Sequence, residues 1–166
     1  MVDPDDGAPL ESRPPRLEDL LKICEALNAN GSKYVVIGGM AVIQAGFIRA
    51  TEDIDLLVDA SSANIERIRE ALWVLPDRAV RDVRTEDVGR YVVVRVADEI
   101  VVDLMKSACG IEYAEASLGV EPVTIGGVEI PFAGPELLLR MKQTVRDKDA
   151  LDRRFLEELL AHRRDS

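Results

Sequence analysis

Apolar positions along the chain fall into short continuous runs and helically spaced stripes, and these predict the elements. Leu17, Leu20, Leu21, Cys24 and Leu27 recur at helical spacing, and Gly31 follows as a stop. The run Tyr34–Ile37 predicts a strand, Gly38-Gly39 a turn, and residues 40–45 a helix closing at Gly46. Asp53–Val58 predicts a second strand. Ser61 and Ser62 can cap a helix that carries Ile65, Ile68, Leu72 and Leu75 on one face, with Pro76 just past its end. Residues 77–89 are charged, and no period dominates. Residues 91–96 and 100–105 are β-branched runs separated by Ala97-Asp98-Glu99, the pattern of a hairpin whose strands are largely buried. Residues 110–119 fit a short helix or a loop, and Gly126-Gly127 lies between two further runs as a tight hairpin turn. Pro135 opens a helix with the stripe Leu137, Leu138, Met141 and Val145. Leu151, Phe155, Leu156, Leu159 and Leu160 form the stripe of the last helix. Strands and helices are mixed without regular alternation, so the expected fold is α/β (α+β): a mixed sheet with helices packed against it and a C-terminal helical pair. Residues 1–15, with four prolines and three aspartates, predict a disordered tail, which leaves 16–166 as a single domain.

Composition narrows the chemistry. At 166 residues and 47% hydrophobic content the chain can bury a real core, and no apolar run approaches a membrane span. The first residues are acidic, unlike a signal peptide, and Cys24 and Cys109 form no metal-like pair, so a reduced, cytoplasmic protein is expected. A net charge of −10 argues against a protein that grips extended duplex DNA by charge. His162 is the only histidine, which excludes Ser-His-Asp triads, Cys-His dyads and histidine-rich zinc sites. Catalysis must then run on carboxylates, cationic side chains, hydroxyls or backbone.

Asp53 and Asp55 are two apart on a predicted strand, so both point to one face while Ile54 points to the other. Two like charges on one face repel unless a cation lies between them, and magnesium, which prefers oxygen ligands, suits that place. Asp103 sits inside the apolar run 100–105, where an ionised carboxylate is costly unless paired or metal-bound. If its strand neighbours Asp53–Val58, Asp103 supplies a third ligand. Three carboxylates around two metals roughly 3.5–4 Å apart suit in-line attack on a phosphoryl group. Gly38-Gly39 lets backbone N–H groups approach an anion, with a helix start behind them. Alone, such a pair is a tight turn, and a lone Asp-x-Asp is a solvated strand end; the order and spacing found here are more specific. Arg49 either holds a phosphate or pairs with Asp53. Lys142 and Arg146, four apart, can share a helix face that neutralises a triphosphate; the plainer alternative is a solvated helix salt-bridged to Asp147 and Asp149.

The pattern apolar-Gly38-Gly39, thirteen residues, then Asp53-Ile54-Asp55-Leu56 resembles the signature of the nucleotidyltransferase superfamily, the DNA polymerase β-like fold. The phrases Gly39-Met40-Ala41, Arg49-Ala50-Thr51-Glu52-Asp53-Ile54-Asp55 and Pro135-Glu136-Leu137-Leu138-Leu139, with Lys142 and the run 146–152, resemble its small bacterial members, AbiEii-type toxins and stand-alone nucleotidyltransferases. The likeness covers residues 17–162. It implies transfer of an NMP from an NTP such as ATP to an acceptor hydroxyl, with release of pyrophosphate. Asp53 and Asp55 would bind magnesium ions, two of them, with manganese as the substitute. Asp103 would bind the second ion and act as base. Gly38, Gly39 and Thr51 would contact the triphosphate, and Lys142, Arg146 and Lys148 would face phosphates or acceptor. Gly39 stands where many relatives have serine, which removes one hydroxyl contact. The acceptor implied is an RNA such as a tRNA end, or a protein, with an antitoxin as partner. The rivals are an antibiotic-type small-molecule nucleotidyltransferase, favoured by the acidic charge, and a non-catalytic nucleotide- or partner-binding module.

Overall fold

The run Tyr34–Ile37 (β1) is buried along its whole length, with a strand on each edge and helices packed against it. On one side it pairs antiparallel with Asp53–Val58 (β2), and on the other it runs parallel to Val128–Ala133 (β8). Val94–Ala97 (β3), Val101–Met105 (β4) and Val120–Ile125 (β7) complete a six-stranded mixed sheet of order β3-β4-β2-β1-β8-β7. A separate two-stranded ribbon joins Ser107–Ala108 (β5) to Ile111–Glu112 (β6). The computed structural model describes residues 11–165.

Seven helices accompany the sheet among the described residues. Leu17–Ala29 (α1) and Ser62–Leu72 (α3) pack on each other and bury Ile23, Leu27, Ile65, Ile68 and Leu72 completely. The hydroxyl of Ser61 accepts from the Asn64 amide and caps α3, as its position before the apolar stripe predicts. Gly38–Gln44 (α2) starts one residue after β1, so the diglycine forms the first turn of that helix rather than a turn before it. Pro135–Met141 (α6) packs on Asp147–Arg164 (α7) as the expected C-terminal pair, and Phe47 stacks on Phe155 with ring centroids 4.9 Å apart. The single turns Asp87–Arg90 (α4) and Tyr113–Ala116 (α5) fall in the segments that carried no clear period. Among the described residues, no helix is long and apolar enough to cross a membrane.

Four expectations are corrected. The run 91–96 is not a buried strand: β3 begins at Val94, lies at the sheet edge, and leaves Tyr91, Val92 and Val93 exposed. α6 stops at Met141, so Val145 is fully exposed instead of joining its stripe. Asp147 and Asp149 mark the start of a new helix, where carboxylates meet its positive end, so Lys142 and Arg146 share no helix face. On α7 the buried positions include Asp149 and Asp152, while Leu151 is exposed. Of the segment 1–15, residues 1–10 lie outside the described residues. Ser12 and Arg13 are held on the β3–β4 turn, through Ser12 Oγ to the Asp98 carbonyl and the Arg13 amide to the Glu99 carbonyl.

Two buried polar side chains fix the loops. The Asp98 carboxylate accepts from the amides of Asp77, Ala79 and Glu99, which organises the charged segment after α3. The Asn64 amide oxygen accepts from Lys33 N at 2.7 Å, and its nitrogen donates to the carbonyls of Lys33 and Asp59 at 3.0 and 2.7 Å. Asn64 thereby ties the entry of β1 to the exit of β2 and, with it, the register between them. Removing the amide breaks all three of these bonds and leaves the Lys33 amide and the Asp59 carbonyl without this partner, while the Lys33 carbonyl keeps only the Asp59 amide at 3.3 Å. We predict that Asn64→Ala lowers unfolding free energy by about 2–4 kcal/mol; a urea midpoint equal to wild type would refute this.

Candidate active site

Strand alternation puts Asp53 and Asp55 on one face of β2 and Ile54, free of solvent, on the other. β2 and β4 run parallel in a register that sets Asp55 beside Asp103. One oxygen from each of the three carboxylates lies within 4.8 Å of the others. Ile37 is opposite Asp55, so the chain leaving β1 passes directly over that carboxylate. Gly38 makes the passage possible: its φ is +67°, and a Cβ there would lie 2.8 Å from Asp55 Cγ, closer than real side chains approach. Burial, then the charges of Asp53 and Asp103, push the Asp55 carboxyl up to about 7, against the pull of the Lys142 ammonium.

β3 contributes a residue that pattern alone did not single out. Arg95 pairs in register with Asp103 and grips it with two bonds, Nε to Oδ1 at 2.9 Å and Nη2 to Oδ2 at 3.0 Å. The same Nη2 reaches Asp53 Oδ2 at 3.5 Å. Its signal lay in the register of the β3–β4 hairpin, not in the composition of either strand.

Gly38, Asp53, Asp55, Asp103, Lys142, Arg146 and Lys148 line one cleft of about 620 Å³, together with Arg95, Val92 and Val93. Arg146 and Lys148 are exposed at it. Gly39, Arg49 and Thr51 do not line it but pack on one another. A Cβ at Gly39 would lie 2.7 Å from Thr51 Cβ and 2.8 Å from Arg49 Nη1. The Thr51 hydroxyl, which donates to the Asp53 carbonyl, therefore occupies the space a side chain at position 39 would need.

Behind the cleft lies a buried ionic cluster. Lys142 Nζ is 3.1 Å from both Asp149 Oδ1 and Asp152 Oδ2, and Arg49 Nε is 3.5 Å from Asp152 Oδ1. Arg49 thus pairs with Asp152, and the partner of Asp53 is Arg95, not Arg49. Burial works against the charge of Asp149, but the Thr144 hydroxyl and the Lys142 ammonium outweigh it and hold this carboxyl below its ordinary value. Arg153 clamps the loop between the helices by donating to the carbonyls of Lys142 and Thr144.

A profile of the family described as "Nucleotidyl transferase of unknown function (DUF2204)" matches residues 16–163. The chain belongs to this family. The match spans the sheet, the three carboxylates and both C-terminal helices, so it agrees with the nucleotidyltransferase expectation for fold and activity. A search of curated proteins found no match.

Electrostatics in this family member make two outcomes measurable. The folded-state carboxyl of Asp55 titrates at about 7 against an ordinary value of 3.8, so its ionisation costs stability. The cost is absent below the ordinary value, grows as pH rises between the two values, and is complete above 7. Asp55→Asn should therefore stabilise the metal-free protein by about 2 kcal/mol at pH 8 and by less at pH 5. A gain that is larger at pH 5 would contradict the assignment. Lys142→Met takes the ammonium from two buried carboxylates, leaving Asp152 only Arg49 and Asp149 only Thr144 and Arg146, and should cost about 3 kcal/mol in urea unfolding; a cost under about 1 kcal/mol would show that these partners or solvent already suffice.

Proposed function

We propose that this protein is a metal-dependent nucleotidyltransferase that moves an NMP from an NTP, ATP among them, to an acceptor hydroxyl and releases pyrophosphate. The convergence of three carboxylates from two adjoining parallel strands carries the reading. The donor set fits the ion: all three ligands are hard oxygens within 4.8 Å of one another, open on one side to a cleft. Asp53 and Asp55 would hold magnesium, and Asp103 would join them for a second ion, with manganese as the substitute. When bound, the metal supplies positive charge beside the phosphoryl oxygens.

The chain's own groups divide the remaining work. Asp103 would, as the superfamily resemblance implies, take the proton of the acceptor hydroxyl once Arg95 has left it. Gly38 and Gly39 keep side chains out of the way where the backbone turns over Asp55. Lys148 stands exposed at the cleft and can meet a triphosphate, and the exposed Arg146 can join it on leaving Asp149 Oδ2, 3.2 Å from its Nε, while Lys142, held by Asp149 and Asp152, contributes a fixed field rather than a mobile contact.

For the acceptor we favour an RNA end or a protein, in the manner of the toxin-like branch, with an antitoxin as regulatory partner. Four cations, Arg95, Lys142, Arg146 and Lys148, line the cleft of a chain of net charge −10, so only the reacting end of a nucleic acid would enter. The same acidity favours the second reading, a small cationic acceptor of the aminoglycoside type. Incubation with labelled NTPs, magnesium, total RNA, protein and a panel of cationic small molecules separates them by where the label appears. Asp53→Ala should lower transfer at least about 10²-fold with little change in melting temperature. Transfer at the wild-type rate in that variant would sink the metal assignment.

A further inference from the structure

Arg95 occupies the place a cation would take. Its guanidinium closes a two-bond fork on Asp103, at 2.9 and 3.0 Å, and leans on Asp53 at 3.5 Å. The two ends of this pair are unlike. Asp103 is buried, whereas the Arg95 side chain is 60% exposed and is anchored at its head by these same carboxylates. The long stem on an edge strand leaves the head free to swing into solvent without disturbing the sheet.

We propose that Arg95 is a resident counter-ion that a divalent metal must displace from Asp103, so that free metal loads weakly and the complete metal complement forms only together with the triphosphate. The proposal rests on the metal reading above and adds to it a residue and an order of loading. Its physical basis is a choice between two states. If the guanidinium stays on Asp103, it repels a dication bound to the same carboxylate. If it leaves, the fork is lost, and the head needs another anion. Either way metal binding is weaker than the three carboxylates alone would give. A triphosphate entering the cleft supplies the missing anion, so nucleotide strengthens metal binding and metal strengthens nucleotide binding by the same factor.

The test is Mn2+ binding to the full chain without nucleotide, by calorimetry and by the free-ion electron paramagnetic resonance signal, with Asp53→Ala as reference. Arg95→Met should bind Mn2+ about tenfold more tightly than wild type, with Arg95→Lys between them. A non-hydrolysable ATP analogue should tighten Mn2+ binding more in wild type than in Arg95→Met. Equal or weaker Mn2+ binding in both Arg95 variants, with Asp53→Ala still defective, would overturn the role of Arg95 and leave the metal site standing. If neither wild type nor Arg95→Met binds Mn2+, with or without the ATP analogue, or Asp53→Ala binds it as well as wild type, the metal reading falls and this inference with it. Should Arg95→Met melt below the assay temperature, Arg95→Lys decides alone: tighter binding supports the displacement, and unchanged or weaker binding overturns it.

Discussion

Three carboxylates on one sheet face repel one another, and much of the local architecture answers that repulsion. At the 4.8 Å that bounds their oxygens, each pair costs about 3.5 kcal/mol at the effective dielectric of a protein surface. No domain of ordinary stability carries three such terms uncompensated. Without a metal the compensation comes from two sources. The Arg95 guanidinium neutralises Asp103 and leans on Asp53, and the raised titration of Asp55 lets that group keep its proton close to neutrality. With Asp55 protonated, Asp53 and Asp103 against Arg95 leave the acidic face one net negative charge at rest instead of three, held by groups that exchange with solvent.

Behind this exchangeable layer the chain places a fixed one. Lys142, Asp149, Asp152 and Arg49 form a buried cluster that spans the α2–β2 loop, the end of α6 and the first turns of α7. Asp152 has no solvent exposure and is held by ion pairs with Lys142 and Arg49, so it cannot lose either without a large penalty. The cluster therefore locks the C-terminal helical pair to the loop that leads into Asp53. The cleft-lining cations Arg146 and Lys148, proposed above to meet phosphate, sit on that locked segment, and their position relative to the carboxylates is inherited from it.

The strands and the triad were legible because a period of two is unambiguous over Asp53-Ile54-Asp55, and because an acid inside an apolar run is costly unless a cation meets it. What escaped depended on register and helix ends. Had the β3–β4 turn been Ala97-Asp98-Glu99, Arg95 would lie opposite Val101. The observed turn is one residue later, Ala97 pairs with Val101, and Arg95 meets Asp103 instead. Local propensity does not resolve a one-residue shift of that kind; the Asp98 carboxylate, which binds the amides of Asp77, Ala79 and Glu99, accompanies it. The same holds for Lys142. In sequence it is a helical cation free to face a triphosphate, until the helix is seen to end at Met141 and the carboxylates of the next helix close over it.

The diglycine shows how tightly these layers fit. Gly38 is required by its left-handed φ and by the Asp55 carboxylate beneath it, so any side chain there displaces a proposed metal ligand. Gly39 is constrained from the other direction, because Thr51 and Arg49 fill the space beside it, and Arg49 is tied to Asp152. A side chain at position 39 would thus press on the buried ionic cluster, while one at position 38 would press on the acidic face. Adjacent glycines serve the two electrostatic layers separately, with the Thr51 hydroxyl filling the space beside the second. The site is best understood as a fixed, internally paired ionic wall and an exchangeable acidic face, joined where β1 turns into α2.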